Sequence, residues 1–199
     1  MPLEIFNVEQ GTDEWLRLRL GLPTASEFSS ILAQGKGLTR ASYLRRLAGE
    51  LICGEPEETF KSPAMGRGNA MESQARAAYA LMTDSEPELV GFVKNHGAGY
   101  SPDSFIGSDG QLEIKTNRPS VLIDILDRVT IPPEHVPQVQ GGLWITERDW
   151  CDVVCFWPGM PMFICRAYRD VRKIAEIARE VARFREELDA MVARIKRAL

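Results

Sequence analysis

The sequence is poor in the residues that build metal clusters and disulfide frameworks. It has two histidines and four cysteines in 199 residues, and no CxxC spacing. A zinc finger is therefore not supported. Cys53, Cys151, Cys155 and Cys165 read as reduced, mostly buried thiols. No apolar run reaches the ~18–20 residues that cross a bilayer. The opening MPLEIFNVEQ carries Glu4 and Glu9 where a leader would be basic and then apolar. The expectation is a cytoplasmic chain without a membrane partner. There is no internal repeat and no low-complexity tract. An excess of positive charge is also missing, with 24 basic against 28 acidic residues and a net charge of −4. An anionic partner would have to be held by a local patch. What the sequence does have is 44% hydrophobic and 26% charged residues. That balance, over this length, predicts one globular domain spanning 1–199 with a full core.

The pattern along the chain is helical, then β-rich, then helical again, which predicts an α/β domain with a mixed sheet. Thr12-Asp13-Glu14 opens a helix through Leu20, stopped by Gly21 and Pro23. Thr24-Ala25-Ser26-Glu27 has the form of a capping box, with a second helix from about Ala25. Residues 41–52 are helical by periodicity. Ser62-Pro63 reads as an N-cap followed by proline at the first helical position, and that helix runs to Met82. Strands are expected at Leu89–Val93, around Phe105-Ile106, at Gln111–Asn117, at Asp152–Phe156 and at Met162–Cys165. Short helices are expected at Ser120–Leu126 and His135–Ile145. From Val171 a long C-terminal helix carries Ile174, Ile177, Val181, Phe184, Leu188, Met191 and Ile195 at steps of three and four. Packing on its own domain is the preferred reading of that stripe; a subunit contact is the other. Arg40, Arg45 and Arg46, Arg172-Lys173, and Arg194, Lys196 and Arg197 read as solvated helix faces.

The chemistry concentrates between Ser101 and Lys115. The turn formers of Gly107–Gly110 predict a hairpin. With its centre near Ser108, Asp103 falls opposite Glu113, and cross-strand partners have Cβ atoms ~4.5–5.5 Å apart. Glu113 and Lys115 share a face because they are two apart on a strand. Two carboxylates ~4 Å apart repel by about 4 kcal/mol at an effective dielectric of ~20. A divalent cation between them reverses that sign. Oxygen donors favour Mg²⁺ or Mn²⁺, and a lysine beside them can orient water or stabilise charge on phosphorus. The set points to metal-assisted phosphodiester hydrolysis. Asp109, in an ordinary Asp-Gly turn, is left out of it.

Pro102-Asp103, followed after nine residues by Glu113-Ile114-Lys115, resembles the PD-(D/E)XK nuclease signature. The wider context is similar to the lambda exonuclease and YqaJ-type viral recombinase family. The matching blocks run in that family's order. They are Glu9-Gln10-Gly11-Thr12-Asp13-Glu14-Trp15, Leu18-Arg19-Leu20-Gly21, Thr24-Ala25-Ser26-Glu27, Gly68-Asn69-Ala70-Met71-Glu72, Ser101-Pro102-Asp103, Glu113-Ile114-Lys115 and Gln138-Val139-Gln140. The resemblance implies a restriction-endonuclease-like core and a metal-dependent 5′-to-3′ exonuclease on linear duplex DNA. Such an enzyme releases 5′-mononucleotides and leaves a single strand for recombination. The family also implies Mg²⁺, with Mn²⁺ as a substitute, a homotrimeric ring, a single-strand annealing protein as partner, and a phage or prophage origin in a bacterial host. Carried over by residue, Asp103 and Glu113 match the metal-binding acids, the Ile114 carbonyl a backbone ligand, and Lys115 the catalytic lysine. Glu72 matches a helix acid at the edge of the site, and Gln138 the glutamine of the following helix. Gln138 and Gln140 lie ~200° apart on a helix, so one of them faces the site. Arg19, Ser26 and Ser101 match a pocket for the 5′-terminal phosphate. Arg67, between two glycines, is a weaker candidate for a DNA phosphate. Trp15 is expected in the core. The alternatives are a structure-specific endonuclease of the same fold and a non-catalytic DNA-end-binding module.

Overall fold

The computed structural model describes residues 2–33, 38–57 and 63–198, without the side chains of 38 and 63–69. The elements are, in order, β1 (Glu4–Phe6), α1 (Asp13–Arg19), a 3₁₀ turn (Ala25–Glu27) running into α2 (Phe28–Leu32), α3 (Leu38–Cys53) and α4 (Pro63–Thr83). Then come β2 (Pro87–Glu88), β3 (Phe92–Asn95), β4 (Ala98–Tyr100), β5 (Ser104–Ile106), β6 (Gly110–Thr116), α5 (Pro119–Arg128), α6 (Val136–Thr146), β7 (Trp150–Phe156), β8 (Phe163–Tyr168) and α7 (Val171–Lys196).

Alternation along β6 positions the site. Leu112 and Ile114 turn to one face, where they pack with Ala75 and Tyr79 of α4 and Val154 of β7. Glu113 turns to the other face. The neighbouring strand alternates in step: Cys151, Val153 and Cys155 of β7 face away from Val154 and pack with Leu122, Ile125, Val139 and Leu143 of α5 and α6. β6 and β7 are parallel, with Gly110 opposite Trp150 and Thr116 opposite Phe156. Parallel neighbours need a long crossover, and α5 and α6 supply it. The other pairs of the five-stranded sheet, β2-β5-β6-β7-β8, are antiparallel. The mixed sheet with helices on both faces is the expected architecture.

A second sheet, β1-β3-β4, is antiparallel. It abuts a core in which Tyr43 and Leu47 of α3 meet Phe184 and Leu188 of α7. The Tyr43 and Phe184 rings stack at 5.3 Å. The apolar stripe of α7 therefore packs on its own domain, with Ile177, Val181, Phe184 and Leu188 buried.

Two local expectations need correction, and two short strands were not expected. The capping box at Thr24 does not form. The Thr24 side chain makes no cap hydrogen bond, the Tyr43 hydroxyl occupies the Thr24 amide at 3.0 Å, and Glu27 binds Ser30 and Arg46. Of the expected strand at Leu89–Val93 only Phe92 and Val93 are strand, because Leu89–Gly91 carry the chain from β2 of one sheet to β3 of the other; a Cβ on Gly91 would lie 2.2 Å from the Val8 carbonyl oxygen. β1 and β4 carry too short a pattern to read. β4 includes Gly99, which the fold needs bare, since a Cβ there would meet the Phe92 ring at 2.2 Å. Ser62 lies outside the described residues. By contrast Thr12 caps α1 as expected, accepting from the Trp15 amide, and Gly21 takes φ +63 at the stop.

Candidate active site

The β5–β6 hairpin has the expected register. Ser104 pairs with Leu112, and the Asp103 amide continues the ladder to the Leu112 carbonyl at 3.2 Å. Asp103 is thus one step further, opposite Glu113. Its Oδ2 accepts from the Ile114 amide. Burial first, then the Glu113 and Glu72 carboxylates, pushes the Asp103 carboxyl well above the usual carboxylate range.

Glu113 is 3% exposed, and both its oxygens accept hydrogen bonds. Its Oε1 accepts from Lys115 Nζ at 2.8 Å and from Gln138 Nε2 at 2.6 Å. Its Oε2 accepts from the Tyr100 hydroxyl at 2.5 Å. Lys115 Nζ also donates to Gln138 Oε1 at 2.8 Å, so the three side chains close a ring. Burial works against the Lys115 charge, but the Glu113 carboxylate outweighs it and holds the ammonium above its ordinary value. Gln138 is the glutamine that faces the site. Gln140 points away, bonding the Tyr168 carbonyl and the Asp170 amide. Glu72 stands at the edge, paired with Arg76 one helical turn on. Arg76 reaches from there to the Ser104 hydroxyl at 2.9 Å and the Asp103 carbonyl at 3.2 Å.

A cavity of about 210 Å³ opens beside this cluster, lined by Trp15, Arg19, Ser26, Tyr100, Ser101 and Gln138 among others. The Arg19 guanidinium lies 4.1 Å over the Trp15 ring and 5.8 Å over Phe92. Burial lowers its pKa from the ordinary arginine value. The nearby acids are committed elsewhere: Glu27 to Arg46 at 3.0 Å, and Glu50 to the Gly21 amide at 2.8 Å. A half-buried guanidinium fork in a cavity that Ser26 and Ser101 also line suits an anion. Trp15 is not the core residue expected. It is partly buried, and its indole N–H donates to the Ser101 hydroxyl at 2.8 Å. Arg67 lies among the residues whose side chains are not described.

Four supporting residues escaped the sequence reading. Gln10 donates to the Val90 and Pro102 carbonyls at 3.0 and 3.1 Å, holding the approach to Asp103. Trp15 and Tyr100 are the second and third. Both stand inside or beside matching blocks, Trp15 as an expected core residue and Tyr100 without a role. Arg76 could have been found by its i,i+4 spacing from Glu72.

The residues present fit a divalent cation. Asp103 and Glu113 are oxygen donors facing each other across the hairpin; burial and then the Glu113 charge raise Asp103, and a cation offsets the repulsion between them. Among the described residues no group of three or more His, Cys, Asp or Glu side chains converges as a metal cluster. Asp103 and Glu113 are the two carboxylates that could share such an ion.

The profile of the YqaJ-like viral recombinase domain matches residues 14–149. None of the curated proteins matches the chain. Two crystal structures of LHK-Exo, an alkaline exonuclease from Laribacter hongkongensis, are similar to it throughout. The complex with dAMP has a TM-score of 0.87 at 33% identity, and the second structure 0.86 at 34%, each covering 94% of this chain and 97% of that one. A phage-related exonuclease from Haemophilus somnus 129PT shares the fold, with a TM-score of 0.68 at 14% identity over 87% of this chain and 96% of that one. The matched segment holds Arg19, Glu72, Asp103, Glu113, Lys115 and Gln138, and the chain belongs to the YqaJ-like viral recombinase family.

Proposed function

We propose that the protein is a metal-dependent 5′-to-3′ exonuclease that digests one strand of linear duplex DNA and leaves the other for phage-type recombination. The observation that carries this reading is one cavity that joins two chemistries: Arg19, Ser26 and Ser101 line it together with Gln138, and Gln138 bonds the Glu113–Lys115 pair beside it. A terminal phosphate seated on Arg19 would leave the next phosphodiester near that pair. Its relative LHK-Exo was crystallised with dAMP, a mononucleotide of the class proposed here as product.

Asp103, Glu113 and the Ile114 carbonyl would hold Mg²⁺, or Mn²⁺ in its place, which supplies positive charge to the phosphoryl oxygens and makes water more acidic. The chain's own residues do the rest. Lys115 presents an ammonium to the charge that develops on phosphorus. Gln138 orients Lys115 through its carbonyl and Glu113 through its amide, so the two opposite charges keep one geometry. Glu72, steadied by Arg76, adds an acceptor at the edge of the site. In hydrolysis a water oxygen bonds to phosphorus and gives up a proton, the bond between phosphorus and the O3′ of the terminal nucleotide breaks, and O3′ takes up a proton as it leaves, so the step adds one water in all. The shortened strand then carries a new 5′-phosphate, the group that the Arg19 pocket takes. A homotrimeric ring, a single-strand annealing partner and the cytoplasm of a bacterial host belong to the same proposal, on family resemblance. Among the described residues no helix is long and apolar enough to cross a membrane.

The deciding experiment digests a linear duplex with one 5′-phosphorylated and one 5′-hydroxyl strand, in Mg²⁺ and in EDTA, beside a covalently closed circle. Mg²⁺-dependent loss of the phosphorylated strand with the circle intact is expected. Cutting of the circle would assign an endonuclease. End binding without any cutting would assign a binding module.

A further inference from the structure

Two adjacent glycines, Gly141 and Gly142, lie in the middle of α6, where glycine weakens a helix. Each makes room for an aromatic ring. A Cβ on Gly141 would meet Phe28 at 2.3 Å, and one on Gly142 would stand 2.7 Å from Tyr100 Cε1 and 2.8 Å from its Cζ. The bare backbone of Gly142 is therefore the seat of the Tyr100 ring. Tyr100 is 2% exposed and comes from β4, in the sheet that does not contain Glu113. Its hydroxyl nevertheless ends 2.5 Å from Glu113 Oε2. The other carboxylate oxygen is held by Lys115 and Gln138. With Oε1 held from one side and Oε2 from the other, the carboxylate plane cannot rotate without breaking a charge-assisted hydrogen bond.

We propose that Tyr100 is a positioning residue: seated against Gly142, its hydroxyl fixes the Glu113 carboxylate in the orientation that receives a divalent cation together with Asp103. The metal-binding reading of Asp103 and Glu113 underlies this proposal. The hydroxyl's role is separable from the ring's, because phenylalanine fills the same seat without the donor. Partners that orient a metal ligand in this way are commonly worth ~10–100-fold in metal affinity.

The test is Tyr100→Phe in the full chain, with Mn²⁺ as the probe. Binding is measured without DNA, by calorimetry and by the electron paramagnetic resonance signal of free Mn²⁺. Rates on linear duplex DNA are measured in parallel. The variant is expected to fold as the wild type does, to bind Mn²⁺ about tenfold more weakly, and to recover its kcat when Mn²⁺ is raised, with KM for DNA unchanged. Gly142→Ala, which displaces the ring, is expected to weaken Mn²⁺ binding similarly. The double variant should lose less than the two single losses combined, because both act through one contact. A folded Tyr100→Phe protein that binds Mn²⁺ as tightly as the wild type overturns the proposal. So does one that stays slow at saturating Mn²⁺ with its metal affinity intact. A wild-type chain that binds Mn²⁺ but degrades no DNA would remove the nuclease reading and leave the Mn²⁺ comparison to decide on Tyr100.

Discussion

Trp15 and Ser101 are 86 residues apart in the chain and joined by a 2.8 Å hydrogen bond from indole nitrogen to hydroxyl. The same indole lies under the Arg19 guanidinium. One side chain thus touches two members of the proposed phosphate pocket. Trp15→Phe keeps a ring beneath Arg19 and removes the donor. We expect the preference for 5′-phosphorylated over 5′-hydroxyl ends to fall about fivefold, the value of one ordinary hydrogen bond. Initial rates on the two substrates measure it, and an unchanged ratio would take Trp15 out of the pocket's function.

Arg19 carries the larger share. Arg19→Ala is expected to slow digestion of phosphorylated ends by roughly 10–100-fold, as for loss of a hydrogen bond to a charged group, and to leave hydroxyl ends nearly unaffected. Lysine restores the charge but not the planar fork, so Arg19→Lys should recover only part of the rate. Equal losses on both substrates would assign Arg19 to general duplex binding.

Lys115 balances a carboxylate that is almost fully buried. Removing one partner of a buried pair leaves the other uncompensated. With Gln138 and Tyr100 still bonded to Glu113, Lys115→Met should cost about 2 kcal/mol of stability, less than a wholly unpaired charge. That corresponds to a Tm lower by roughly 4–8 °C in EDTA. Added Mg²⁺ should raise the Tm of the variant more than that of the wild type, while kcat stays at least ~100-fold down. Thermal scans with and without Mg²⁺, beside single-turnover rates, separate the two effects.

Arg40 ties α3 to α7 through two hydrogen bonds to Glu187, at 2.6 and 3.1 Å. That guanidinium holds the Glu187 carboxyl below its ordinary value. A carboxyl whose folded pKa is depressed stabilises the fold above its unfolded pKa and loses that contribution as pH falls through the folded value. The pair is partly solvated, so the contribution is below about 1 kcal/mol. Glu187→Gln should therefore lower Tm slightly at neutral pH, and the difference should shrink as pH falls through the carboxylate range and vanish below the depressed folded value. Calorimetry of the two proteins across that range checks the sign.

The apolar stripe of α7 gives a sharper stability test. Phe184 is fully buried and stacked on Tyr43. Phe184→Ala should cost about 3–5 kcal/mol, read as a shifted denaturant midpoint at unchanged protein association state. A helix that served mainly as a subunit contact would instead lose assembly at constant monomer stability.

The chain's local chemistry was legible wherever one residue's neighbours in sequence are also its neighbours in space. The hairpin turn set the register that brings Asp103 opposite Glu113, and the two-residue period of a strand put Lys115 beside Glu113. The stripe of α7 and the stop at Gly21 were legible for the same reason, since helical spacing and a left-handed glycine are local facts. Which of Gln138 and Gln140 enters the site was decided by how α6 lies on the sheet, and Gly141 and Gly142 settle that through Phe28 and Tyr100. The capping box at Thr24 failed because a hydroxyl from α3 reached its amide first. Trp15, Tyr100 and Arg76 acquire their roles only when separate elements meet. A hydrogen bond between residues far apart in the chain leaves no periodicity to read, and its strength rests on burial that the whole fold creates.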